Sequence, residues 1–220
     1  MKKFLYAILL IAAATSCSTT TRLSQYPKMY ESKPVTILVM PPINNTANVE
    51  AKDLLYTSIN KPLAEAGYYV ISPHLAMDIL KSESAYDAEM FIDAPLDKFA
   101  QFFGADAVVF SQIDKGTMSG FGIDTKIRYF IKSAKTNEII FDRTCDLHLD
   151  LSQNSSGGGV LGALIDLAAS AIVTATTDHI VAARKANAYI FNDIPRGKYS
   201  PMFGKDQNVS AAKKDIKANV

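Results

Sequence analysis

The sequence predicts an α/β fold: a three-layer open sheet with parallel strands in its first half, then an antiparallel hairpin and a long Ala-rich C-terminal helix. Three observations carry this. Short apolar runs alternate with helical stripes from Val35 to Ile113. Strict period-two alternation takes over from Phe121 to Leu151. An Ala-rich segment from Val160 to about Asn187 follows a run of glycines.

Taken in order, Val35 to Met40 is nearly all apolar and ends at Pro41-Pro42, as suits a strand buried on both faces. Asn44, Asn45, Thr46 and Asn48 form a turn-and-cap cluster. In the helix that follows, Ala51, Leu54, Leu55, Ile59, Leu63 and Ala66 make one stripe, and Gly67 suits its end. Pro62 clashes with the carbonyl four residues back, so a bend is expected near Ser58. Tyr68 to Ser72 reads as a second strand, and Ser72-Pro73 opens a short helix through Leu80. A polar stretch spans Lys81 to Asp93. Pro95 starts a helix with Leu96, Phe99, Ala100 and Phe103 on one face and Gly104 as its stop, and Ala105 to Ile113 is a third interior strand.

In the hairpin, Phe121, Ile123, Ile127, Tyr129 and Ile131 alternate with Asp124, Lys126, Arg128 and Lys132, which predicts one wet face. After the Lys135 to Glu138 turn, Phe141, Cys145, Leu147 and Leu149 alternate with Asp142, Asp146, His148 and Asp150. Cys145 falls on the apolar side, as a buried and unreactive thiol. The segment from Gly157 to Ala175 has nearly the length of a membrane span. Asp166, Ser170, Thr174 and Asp178 repeat every four residues, however, which favours an amphipathic helix packed on the sheet or on a second copy. The tail from Lys198 to Val220 reads as a surface segment and then disorder.

At the other end, Met1-Lys2-Lys3 precedes an apolar run from Phe4 to Ala14 and then Thr15-Ser16-Cys17. That order is a secretory signal too short to span a bilayer, and the cysteine marks it as a lipoprotein signal whose thiol carries the lipid anchor, a palmitate-type acyl group. The expected organisation is residues 1–16 as signal peptide, 17–33 as a lipidated tether, 34–197 as one α/β domain and 198–220 as a tail. The usual sorting pattern, with Ser18 in place of aspartate after Cys17, implies the outer membrane and a periplasm-facing domain.

Removing Lys2 and Lys3 with the signal leaves 21 basic against 22 acidic residues, a balance that suggests neither a nucleic-acid surface nor an electrostatically driven membrane surface. His74, His148 and His179 are the only histidines, and none stands at ligand spacing from another candidate. Asp142, Asp146 and Asp150 share a strand face but lie about 13 Å apart in succession, too far for one metal. No catalytic, cofactor-binding or metal residue is expected.

Four blocks carry a family resemblance: Cys17 with its preceding small residues; Val39-Met40-Pro41-Pro42-Ile43-Asn44; Pro62 through Val70; and Phe103-Gly104-Ala105-Asp106-Ala107-Val108. With Leu161-Gly162-Ala163-Leu164 and Phe191-Asn192-Asp193-Ile194-Pro195, they resemble a family of bacterial outer-membrane lipoproteins of unknown function, noticed as genome-derived vaccine antigens. The resemblance implies an α/β domain like the periplasmic domains of curli-transport lipoproteins, self-association, and a curli-transport-like lipoprotein as partner. It supplies no catalytic residue.

The function expected is a noncatalytic, oligomeric, lipid-anchored component of an envelope assembly, secretion or transport system. The alternative is an envelope hydrolase or glycan-binding module using the loop after the first strand. The candidate interaction residues are Pro41, Pro42, Asn44 and Asn45 in that loop, and Gly158, Gly162, Leu164 and Ile172 on the Ala-rich helix.

Overall fold

The computed structural model describes residues 20–47, 49–119, 122–150 and 175–219. The chain begins with two short helices, α1 (Arg22–Gln25) and α2 (Pro27–Ser32), followed by β1 (Thr36–Val39) and β2 (Ile43–Asn44). Helices α3 (Glu50–Ser58) and α4 (Asn60–Glu65), strand β3 (Tyr69–Val70), α5 (Pro73–Ser82) and a 3₁₀ turn at Ala88–Phe91 come next. Then follow α6 (Asp97–Phe103), the long strands β4 (Ala107–Ser119), β5 (Gly122–Ser133) and β6 (Ile139–Asp150), α7 (Ala175–Phe191) and β7 (Asp215–Asn219).

The strands join in one mixed sheet of order β3-β1-β4-β5-β6-β7, with β2 paired beyond β1 on the same side of β4. β3, β1, β2 and β4 run parallel, β4-β5-β6 is an antiparallel meander, and β7 lies parallel to β6. The mixed α/β class follows from the two periodicities. In β1, Ile37, Leu38 and Val39, with Met40 beyond, are all at most 1% exposed. Ile37 and Val39 face one core, with α3, α4 and α7; Leu38 and Met40 face a second, with Ala76, Leu80 and Phe99 of α5 and α6. Each such side chain contributes about 1.5–3 kcal/mol by burial. The bend expected from Pro62 is present: α3 stops at Ser58 and α4 starts at Asn60, with Ile59 between them still in helical backbone (φ −75°, ψ −28°). Gly104 ends α6 in the left-handed conformation, φ +65°.

Four expectations are corrected. Residues 22–32 are not a tether but two helices whose Tyr26 and Met29 pack into the core, Tyr26 lying 4.8 Å from the Phe141 ring. The stretch beyond Lys198 is not a disordered tail: Asp206 is 1% exposed and β7 adds a strand to β6. The Asn44 cluster contains a strand residue, since Ile43 and Asn44 pair with Gln112 and Ile113. Lys132, assigned to a wet face, is buried beside Phe130; Phe130 stacks on Phe110 at 5.2 Å, and the Lys132 ammonium donates to the Ile92 carbonyl at 2.5 Å. The hairpin is therefore wet only toward its open end, away from the Lys135–Glu138 turn. Among the described residues no helix is long and apolar enough to cross a membrane.

Candidate functional site

The densest polar constellation among the described residues lies where both ends of the folded chain meet β6. Arg22 enters from α1 with its side chain 11% exposed. Its Nε donates to Asp193 Oδ1 at 3.1 Å, one Nη to Asp206 Oδ2 at 3.2 Å and the other to the Asn192 carbonyl at 3.2 Å. Asp193 Oδ2 also accepts from the Tyr26 hydroxyl at 3.2 Å and the Ala212 N–H at 2.9 Å. Asp206 Oδ2 accepts from the Arg196 N–H at 2.9 Å.

Behind them Arg143 stands on β6, 1% exposed. It donates to the carbonyls of Tyr189 (3.1 Å), Ile190 and Lys213 (2.9 Å) and to Asn192 Oδ1 (3.2 Å). It thereby satisfies the carbonyls that end α7, as a cation at a helix C-terminus does. Burial lowers the Arg143 pKa from its usual range and raises the Tyr26 hydroxyl to about 12. Burial, and then the Asp206 charge, push the Tyr30 hydroxyl up as well. Two guanidiniums and two carboxylates here neutralise one another and bind backbone, so the network acts as a strut between α1, α7, β6 and residues 206–213.

A second polar strut is Asn187, fully buried on α7: its amide donates to Ser58 Oγ at 2.9 Å and the Leu55 carbonyl at 3.3 Å, and its oxygen accepts from the Tyr129 hydroxyl. It joins α7 to the α3–α4 bend and to β5.

The open face of the hairpin carries a surface constellation. Asp124 Oδ2 accepts from Lys115 Nζ at 2.8 Å, while Oδ1 lies 2.7 Å from His148 Nδ1, directly across the β5–β6 register. The hydrogen bonds from Lys115 and then His148 pull the Asp124 carboxyl down to about 2. Further down, Arg128 forms a two-point ion pair with Asp142 (3.0 and 2.8 Å) and stacks over Phe130 at 5.1 Å.

The sequence-predicted candidates are distributed unevenly. Pro41 and Pro42 are buried and leave no contact surface. Asn44 is half-buried, with Oδ1 accepting from Thr46 N–H and Oγ1 at 3.1 and 2.8 Å; exposed Asn45 donates to Asp114 at 3.2 Å. Cys145 is buried and free, its thiol raised to about 11 by desolvation. His74 lies on the surface near Asp78, and His179 lines a small cavity of about 30 Å³ with Leu54, Ile113 and Thr125. Cys17, Gly158, Gly162, Leu164 and Ile172 lie outside the described residues. A larger cleft of about 380 Å³ opens between Tyr30, Lys33, Tyr68, Arg196 and Phe203.

Sequence reasoning missed Arg22, Arg143, Asp193 and Asp206. Arg143 did leave a signal: it occupies an apolar position of the alternation, between Phe141 and Cys145. The pairing of Asp124 with His148 became visible only with the strand register.

Comparison with known proteins places this fold. The chain is 26% identical over 197 residues, covering 86% of it and 89% of the relative, to a Neisseria meningitidis serogroup B protein described as "Putative lipoprotein NMB1124/NMB1162". The crystal structure of lipoprotein GNA1162 from Neisseria meningitidis is similar at TM-score 0.50 and 23% identity, over 61% of this chain and 94% of that one. A PelC dodecamer from Paraburkholderia phytofirmans aligns at TM-score 0.41 and 11% identity, over 72% and 87%. The family model described as "Putative lipoprotein GNA1162-like" matches residues 24–197, most of the α/β domain, and the chain belongs to that GNA1162-like lipoprotein family.

Proposed function

We propose that this chain is an outer-membrane lipoprotein, anchored through acylated Cys17 and facing the periplasm. In this reading it serves without catalysis as a self-associating part of an envelope assembly, secretion or transport system, beside a curli-transport-like lipoprotein. The observation that carries the reading is the positive, apolar, small-residue run ending in Cys17, in a chain belonging to a lipoprotein family. Support also comes from how the described charges are used, since Arg22, Arg143, Asp193 and Asp206 brace the fold.

The alternative, a hydrolase or glycan-binding module on the loop after β1, draws no support from the loop's geometry. Pro41, Pro42 and Ile43 are buried, Asn44 turns back on Thr46, and Asn45 reaches Asp114. Labelling cells with a clickable fatty acid tests the anchor: the label is expected on the wild-type chain and absent from Cys17→Ala. Crosslinking in intact cells tests the assembly; recovery of this chain only as an uncrosslinked monomer would refute that part.

A further inference from the structure

The first described residue, Thr20, is fixed to the domain. Its carbonyl accepts from Ala211 N–H at 2.7 Å, Thr21 bridges Ser210, Arg22 N–H donates to the Val209 carbonyl at 2.9 Å, and Leu23 N–H to the Gln207 carbonyl at 3.1 Å. The Arg22 side chain is held by Asp193 and Asp206. Thr20 lies three residue steps from Cys17, with Ser18 and Thr19 between them, and three steps reach at most about 10 Å however they run. Anything attached at Cys17 therefore stays close to the end of the domain made by Leu23 and residues 207–211.

That end displays an unusual set of side chains. It is the end from which β1 and β4 set out and to which α7 delivers Phe191 and the turn after it. Leu23 (43%), Tyr199 (66%), Met202 (46%), Phe203 (39%) and Val209 (40%) are all exposed. Single exposed apolar residues are ordinary, but four within residues 199–209, with Leu23 hydrogen-bonded to that segment, make a patch. Within residues 196–209 the exposed charges share one sign. Lys198 and Lys205 are exposed and Arg196 is half-buried, while Asp206, the acid of the same stretch, is buried against Arg22. Apolar and aromatic side chains interleaved with lysines match a lipid–water interface, where the apolar groups enter the acyl boundary and the ammoniums stay among the phosphates.

We propose that this end of the domain, with Leu23, Tyr199, Met202 and Phe203 as its apolar contacts and Lys198 and Lys205 as its cations, lies on the surface of the bilayer that holds the anchor. The inference rests on the lipidation of Cys17. The domain is then seated on the membrane in one orientation, with the loop after β2 pointing away from it.

The chain contains no tryptophan, so one introduced residue reports alone. The lipidated full-length chain carrying Phe203→Trp is reconstituted in vesicles of phosphatidylethanolamine and phosphatidylglycerol with brominated acyl chains. Val49→Trp is the control, at an 83% exposed position beyond β2 at the opposite end. The expected result is a blue shift and quenching at F203W and neither at V49W. If F203W is unquenched while Cys17→Ala abolishes vesicle binding, the surface proposal fails and the anchor stands. Quenching at F203W that survives Cys17→Ala supports the surface as a membrane contact in its own right and leaves the anchor to the fatty-acid label. A blue shift of F203W without vesicles that grows with protein concentration assigns the patch to a second copy and overturns the proposal.

Discussion

Asp193→Asn probes the buried strut with almost no change of shape. The carboxylate accepts three hydrogen bonds, one from Arg22 on Oδ1 and two, from Tyr26 and Ala212, on Oδ2. An amide replaces one oxygen with a donor, and either orientation sets N–H against N–H: Arg22 Nε in one, the Ala212 backbone in the other. Breaking a buried ion pair by removing one partner costs about 3–5 kcal/mol. Asp206 still balances Arg22 at 3.2 Å, so the lower end, about 3 kcal/mol, is expected. An exposed pair would lose at most about 1 kcal/mol. Equilibrium urea denaturation of the Cys17→Ala chain, with and without Asp193→Asn, measures the difference, and Arg22→Met completes a double-mutant cycle. A loss below about 1 kcal/mol, or no coupling between the two substitutions, would refute the claim that this network is buried and structural.

Gly197 packs directly on Gly67, where a Cβ would lie 2.4 Å from the Gly67 carbonyl oxygen. Gly197→Ala must therefore move backbone and is expected to cost about 1–3 kcal/mol or more. Gly104→Ala meets nothing within 4 Å and carries only left-handed strain, about 1–2 kcal/mol, so thermal unfolding should show the larger drop for Gly197→Ala and equal drops would contradict the packing. Asp124 gives the acid response: its folded value near 2 lies below the ordinary 3.8, so its contribution is present above about pH 4 and is lost as pH falls toward 2. Asp124→Asn should flatten the stability profile in that window, and an unchanged slope would count against the Lys115–Asp124–His148 cluster.

The parts of the fold legible in the sequence are those with local causes. The apolar run of β1 and the helix bend at Ser58 follow from neighbours a few residues away, and the stop at Gly104 from one residue's freedom at φ +65°. What stayed hidden depends on partners distant in the chain. Tyr26 and Met29 sit in a polar stretch and gain their burial only from β6 and α7. Lys132 follows the wet alternation, and the 3₁₀ turn near Ile92 covers it. β7 has only Ile216 and Ala218 to mark it, and pairing with β6 makes it a strand. The candidate loop was placed correctly at a strand end, yet its prolines are turned into the core. Composition could not show that, because proline serves turns and cores alike.

The pairing of the chain's two ends has a consequence in time. Arg22 is made early, and its two carboxylates follow 171 and 184 residues later. At synthesis rates of about 5–20 residues per second, roughly 9–37 s pass before Asp193 and Asp206 exist. Through that interval the segment around Arg22 has no buried place to go, because docking it would strand a guanidinium in the core. The beginning of the folded chain is thus obliged to wait for its end, which leaves the segment around Arg22 undocked until the last strand is available to close it in.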